Sequence, residues 1–140
     1  MKMKNKISVL LLFCLLAGMA MQAQEVDISG TWTMYEMTWS TGNDVNTTTA
    51  DQMKKEGMKS EYEFTPEGKV KLVSNMTGSG NMENIDGTWK LQGDKLTFSL
   101  NLEGNLVDIV WDFEYRDDAI HLTRTSPDGA TSVVNSFKRK

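Results

Sequence analysis

The sequence predicts an all-β chain, with eight antiparallel strands closed as an up-and-down barrel and one short helix in the first long connection. Three observations carry this reading. Apolar and polar residues alternate with period two, most clearly over residues 107–115. Glycine-bearing turn sequences separate the alternating runs at intervals of about 8–12 residues, the spacing of sandwiches and barrels. A sheet of eight strands with one apolar face leaves exposed edges unless it closes on itself.

The chain has 140 residues and a net charge of −4. Its first 23 residues read as an export leader. Lys2, Lys4 and Lys6 precede an apolar run from Ile7 to Met21. That run is too short to cross a bilayer as a helix, which takes about 20 residues. Cleavage after Ala23 leaves Gln24 first, with cleavage after Ala20 as the alternative. Cys14 lies inside the apolar run, preceded by Leu12 and Phe13 where a lipoprotein signal places small residues, so no lipid anchor is expected. The expected domains are 1–23, removed, and 24–140, the barrel. The mature chain is expected in the periplasm or outside the cell. It has no cysteine, which excludes disulfides and thiol chemistry. Loss of the three leader lysines takes the net charge to −7. That balance argues against nucleic acid, which needs a basic patch to neutralise phosphates. Nothing after residue 23 is apolar for long enough to span a membrane.

The strands are expected near 30–39, 60–65, 69–76, 82–91, 95–102, 106–115, 119–125 and 130–138. Thr65-Pro66-Glu67-Gly68 and Ser126-Pro127-Asp128-Gly129 are turns in which Pro presets φ and Gly accepts positive φ. Gln92-Gly93-Asp94, Glu103-Gly104-Asn105 and Asp117-Asp118 read as hairpin connections, and Gly78 and Gly80 lie in another turn. Residues 40–59 are polar and poor in strand formers. Within them Thr49-Ala50-Asp51-Gln52 has the form of a capping box, so a short helix is expected from Asp51 to about Gly57. Met53 and Met58 on it are either adaptable ligand contacts or gap-fillers. The segment is either a lid or a tolerated insertion.

Ile28-Ser29-Gly30-Thr31-Trp32-Thr33-Met34 opens the first strand, and Ile85-Asp86-Gly87-Thr88-Trp89-Lys90-Leu91 repeats its pattern. Gly-x-Trp at the start of the first of eight strands, just after a leader, resembles the lipocalin and fatty-acid-binding-protein (calycin) superfamily. The whole pattern is most similar to small secreted lipocalin-like domains of Bacteroidetes. The resemblance implies that Gly30 and Trp32 close the barrel base under a basic side chain from the chain end. Arg139 or Lys138 would supply it, with Arg124 a weaker candidate. The chain lacks the Arg-x-Tyr pair with which many fatty-acid binders hold a carboxylate; its last strand reads Val133-Val134-Asn135-Ser136-Phe137-Lys138-Arg139.

Phe64, Leu72, Trp89, Phe98, Leu100, Ile109, Trp111, Phe113 and Leu122 are expected to face inward. A barrel of this size is either filled by its side chains or holds one small ligand. If it is hollow, Phe64, Trp89, Phe98, Trp111 and Phe113 supply apolar contacts, and Tyr62 and Asn135 polar ones. Glu36 raises a parity problem. With Trp32 inward, strict alternation sends Glu36 inward and Tyr35, Met37 and Trp39 outward. Either the acid is a buried anchor, or a bulge after Met34 reverses the parity, or the three outward residues are covered. His121, the one histidine, is expected on the wet face as an ordinary strand residue. No nucleophile–base pair, metal-ligand set or phosphate loop is visible, so neither an enzyme nor a cofactor is expected. The expected partner is a small apolar or amphipathic molecule. The alternative is a protein partner docking on an exposed patch of Tyr35, Met37 and Trp39.

Overall fold

The computed structural model describes residues 26–76 and 80–140. The leader and Gly78 lie outside them. In chain order the elements are β1 (Gly30–Thr41), β2 (Asp44–Thr48), α1 (Ala50–Lys55), β3 (Ser60–Phe64), β4 (Lys69–Ser74), β5 (Glu83–Gln92), β6 (Lys95–Leu102), β7 (Asn105–Arg116), β8 (Ala119–Thr125) and β9 (Thr131–Arg139). All pairings are antiparallel. Each strand from β3 to β9 pairs with the next, β1 pairs with β3, and β1 pairs with β9 to close an eight-stranded barrel.

The ninth strand, β2, departs from the sequence reading, which left residues 40–48 without regular structure. It folds back on the upper half of β1, from Met37 against Thr48 to Thr41 against Asp44. β3 occupies the same edge of β1 lower down, opposite residues 30–33. The two-residue connection Gly42-Asn43 makes this hairpin possible. Gly42 has φ of 58° at the first loop position, a conformation open to glycine without a side-chain clash. The helix after it starts as the capping box predicts: Thr49 accepts from the Gln52 backbone and the Gln52 side chain accepts from the Thr49 N–H. α1 buries Met53 in the core. Asn75, just past β4, ties down the helix exit: its Nδ2 donates to Gly57 O at 2.6 Å and its Oδ1 accepts from Lys59 N–H at 2.8 Å.

The base is built around Trp32, which is fully buried. Its indole Nε1 donates to Ile28 O at 2.8 Å. Arg139, on the neighbouring strand β9, lays its guanidinium over the indole with Cζ 4.4 Å from the ring centroid. The same guanidinium donates to Ser29 O at 2.7 Å and Asp27 O at 2.6 Å. Gly30 is required there twice over. Its φ is 119°, and a Cβ would come within 3.3 Å of Arg139 Nη1. Of the candidate cations, Arg139 alone takes the Trp32 position. Lys138 lies over Tyr35 and Arg124 over Trp111. The second Gly-x-Trp serves packing as well. A Cβ on Gly87 would fall 2.2 Å from Ser99 O, so glycine allows β5 and β6 to approach closely. Trp89 donates from Nε1 to Thr65 O at 3.0 Å and packs edge-on against Phe64.

The β1–β9 ladder slips once, between Met34 and Glu36. This bulge resolves the parity conflict. Trp32 and Met34 face inward below it, and Glu36 pairs with the outward Ser136. Beyond it, Met37 and Trp39 pair with Asn135 and Val133 and face inward. The expected outer patch of Tyr35, Met37 and Trp39 is therefore split: Tyr35 points outward, Met37 lines the cavity and Trp39 lies exposed at its rim.

His121 also departs from expectation. Alternation places it outward, but it is buried, at 7% exposure. In register it lies between Glu114 and Ser136, and its Nδ1 is 2.8 Å from Ser136 Oγ. Burial, followed by the nearby Arg116, lowers its pKa below the usual imidazole value, against the smaller opposing pull of Glu114 and Glu36. Asp117-Asp118 is a hairpin turn, as read from the sequence, with φ of 55° and 59°.

Two outcomes follow from this architecture. Trp32→Ala should lower unfolding stability by about 3–5 kcal/mol, as large aromatic truncations in cores do. Arg139→Ala should cost about 1–2 kcal/mol and Arg139→Lys nearly as much, because only the guanidinium fork reaches both carbonyls while covering the ring. Denaturant melts check both, and a loss under 1 kcal/mol for Trp32→Ala would contradict the base described. The second outcome concerns pH. The unfolded chain protonates His121 before the folded one does, so stability should fall as pH drops from above about 6.5 through the lowered folded-state value. Thermal melts from pH 7.5 to 5.5 should show this decline in the wild type and a flatter profile in His121→Gln. Parallel profiles would contradict a depressed His121 pKa.

Candidate functional site

The barrel interior divides into two halves. Toward the base, Trp32, Phe64, Leu96, Phe98, Ile120, Leu122 and Phe137 are fully or almost fully buried and fill the space. Phe64 stacks on Phe98 at 5.9 Å between centroids, and Tyr62 meets Phe98 edge-on at 5.7 Å and Phe137 at 4.5 Å. This aromatic layer is a partition. Above it, toward the β8–β9 connection and the β1–β2 turn, lies an open cavity of about 490 Å³. That volume is within the range of about 300–1,000 Å³ typical of small-molecule sites.

The cavity wall is mostly apolar, with Met34, Met37, Leu72, Met76, Ile85, Trp111 and Val133 contributing. Tyr62, Ser60, Ser74 and Asn135 bring polar groups to it. Trp39, Arg124, Thr125, Ser126, Pro127, Thr131 and Ser132 form the rim. The rim at β8–β9 is pre-organised by the Ser-Pro-Asp-Gly turn. Asp128 Oδ1 accepts from Ser126 Oγ at 2.5 Å and from Ala130 N–H at 3.0 Å. These bonds, the Ser126 hydroxyl first, hold the Asp128 pKa below the ordinary carboxylate value.

Two groups define the polarity of the site. Burial raises the Tyr62 pKa to about 12 against a smaller lowering by the Ser60 hydrogen bond, so the phenol stays neutral. Asn135 is only 8% exposed, and its Oδ1 is buried with no hydrogen-bond partner among the described residues. A buried acceptor left unpaired costs about 1–3 kcal/mol. The arrangement offers shape, apolar contact and neutral hydrogen bonding. Among the described residues there is no group of three His, Cys, Asp or Glu placed to hold a metal ion. No described helix is long and apolar enough to cross a membrane.

The seven residues assigned to ligand contact separate into two sets. Tyr62, Trp111 and Asn135 line the cavity. Phe64, Trp89, Phe98 and Phe113 do not line it and instead pack the closed half, Phe64 and Phe98 in its centre and Trp89 and Phe113 half-buried against it. They face inward as period two requires, but in the closed half of the barrel. Sequence reasoning passed over Met34, Met37, Trp39, Ile85, Arg124 and Val133. The bulge concealed Met37 and Trp39. Arg124 and Val133 share the inward parity of Leu122 and Asn135 and precede or follow the Ser126–Gly129 turn, so their place at the rim was available from spacing.

No family model and no curated protein matches the chain. Solved structures share its shape. One is an uncharacterized protein from Bacteroides eggerthii, 17% identical, with a TM-score of 0.50 over 81% of this chain and 100% of that one. Another is a lipocalin-like protein from Bacteroides uniformis, 12% identical, with a TM-score of 0.53 over 82% of this chain and 100% of that one. At such identities the likeness is one of fold, and the fold is a lipocalin-like barrel with one closed and one open end.

Proposed function

We propose that the protein is a non-enzymatic binder of a small apolar or amphipathic molecule, held in the cavity at the open end of the barrel. The observation that carries this reading is the division of the interior. A filled aromatic base supports, on its upper side, a cavity with apolar walls, two methionines from β1 and a few neutral polar groups. Eight-stranded barrels of this size hold one small ligand when they are not filled. Met34, Met37 and Met76 adapt to the shape of what enters. The hairpin arm β2 and helix α1 flank the open half without lining the cavity.

The leader pattern of Lys2, Lys4, Lys6 and the 15 apolar-rich residues from Ile7 to Met21 supports an exported binder that acts in the periplasm or outside the cell. Intact mass of protein recovered after export should correspond to a start at Gln24 without added lipid. Retention of residues 1–23, or a diacylglycerol adduct, would contradict export by this route.

Binding is tested with Nile red, an uncharged apolar dye. It should bind at a single site and alter tryptophan emission. Trp111→Ala should weaken binding by about 1.5–3 kcal/mol, the value of burying one large side chain. The same substitution should destabilise the fold less than Trp32→Ala, because one side of Trp111 already borders open space. An absence of dye binding, with equal destabilisation by the two substitutions, would describe a filled barrel and contradict the proposal.

A further inference from the structure

We infer that the cavity takes an amphiphile that enters with a neutral hydrogen-bonding group first, a hydroxyl or an amide, and leaves an anionic group at the rim. The inference rests on the ligand-binding reading above and names its ligand class.

The deep end of the cavity is polar but uncharged. Asn135, Tyr62 and Ser60, all buried, line it. Tyr62 keeps its proton, with a pKa pushed up to about 12. Asn135 carries the one buried side-chain polar atom that lacks a partner among the described residues. Its unmet atom, Oδ1, is an acceptor, so the group that satisfies it donates. A hydroxyl or amide meets that condition. A carboxylate only accepts. At this depth it would give up its water, and the one cation among the described lining residues, Arg124, stands a step nearer the opening.

The rim has the opposite character. Arg124 is the only charged side chain among the described lining residues. Its guanidinium lies 5.5 Å from the centroid of the Trp111 ring. It makes no ion pair with a carboxylate among the described residues. A stacked guanidinium keeps its N–H edges free to bind an anion in the plane of the group. The two polar stations are in register. Leu122 pairs with Asn135, and Arg124 is the next inward residue of β8, one step of roughly 7 Å toward the opening. A ligand chain passing Trp111 therefore runs from a neutral station to a cationic one.

The test is displacement of Nile red from the full mature chain by three probes of equal carbon number: decanol, decanoate and ω-hydroxydecanoate. In the wild type, ω-hydroxydecanoate should bind tightest, about three- to tenfold tighter than decanoate, the contribution of one additional satisfied hydrogen bond. Asn135→Leu should remove that difference. Arg124→Gln should weaken both acids about three- to tenfold, leave decanol unchanged, and abolish the decline of acid affinity with added salt. Equal binding of decanoate and ω-hydroxydecanoate by the wild type would overturn the inference, and this comparison needs no variant to fold. So would an Arg124→Gln effect on decanol as large as on the acids. If Nile red binds and these orders fail, only the ligand class is wrong. If neither the dye nor any probe binds, the ligand-binding reading falls with it.

Discussion

The seam between β1 and β9 governs the rest of the structure. It joins the first strand of the barrel to the last, and both ends of the cavity are set along it. At its lower end Trp32 is opposite Arg139, whose guanidinium covers the indole and binds the carbonyls of Ser29 and Asp27. Backbone pairing, an aromatic–cation contact and charge-assisted hydrogen bonds are thus concentrated where the sheet closes. Gly30 makes room for that guanidinium. Farther up, the bulge between Met34 and Glu36 turns the strand by one residue. An unbroken ladder would send Glu36 into the barrel, where an unpaired carboxylate is costly, and would expose Met37 and Trp39. The bulge places the acid outside beside Ser136 and gives the cavity two large apolar side chains.

Closure and hollowness therefore belong to one design. The base is filled by rings that contact each other edge-on and stacked, from Trp89 through Phe64 and Phe98 to Tyr62 and Phe137. Tyr62 belongs to both halves, its ring part of the partition and its residue part of the cavity lining. The upper half of the barrel spends its strand length differently. β3 and β4 are short, and β2, α1 and the Asn75 hydrogen bonds fill the space beside them. Met53 of α1 is buried in the core, which anchors the arm to the barrel. Neither β2 nor α1 lines the cavity, so the open end stays free of them.

Most of the fold was legible in the sequence because period-two alternation and turn chemistry are local signals. The strands from Ser60 to Arg139 fall within a few residues of where alternation puts them, and the capping box at Thr49 starts a helix. β2 was missed because Asp44-Val45-Asn46-Thr47-Thr48 has no apolar face; its signal was the Gly42-Asn43 turn. The site was harder to read. Alternation gives the side of a strand but not the height along it. Phe64, Trp89, Phe98 and Phe113 were selected for size and parity, and they lie on the closed half. The end of the barrel that carries Trp32 also carries the turns at 65–68, 93–94 and 117–118, so their distance from those turns contained the missing information. His121 shows a second limit. Its outward direction followed from period two, but its burial depends on Ser136 and Glu114 of neighbouring strands, which only the register reveals.

One half of the interior is filled by side chains and the other holds an open cavity. The four tryptophans divide along that boundary. Trp32 and Trp89 have their indole N–H groups bonded to Ile28 O and Thr65 O in the base, whereas Trp39 and Trp111 line the cavity. Indole resonances followed by two-dimensional ¹⁵N NMR during titration with decanol test the division directly. The account predicts that the Trp39 and Trp111 signals shift progressively to saturation while those of Trp32 and Trp89 stay in place. Shifts led by Trp32 or Trp89, or no shift in any of the four, would contradict it.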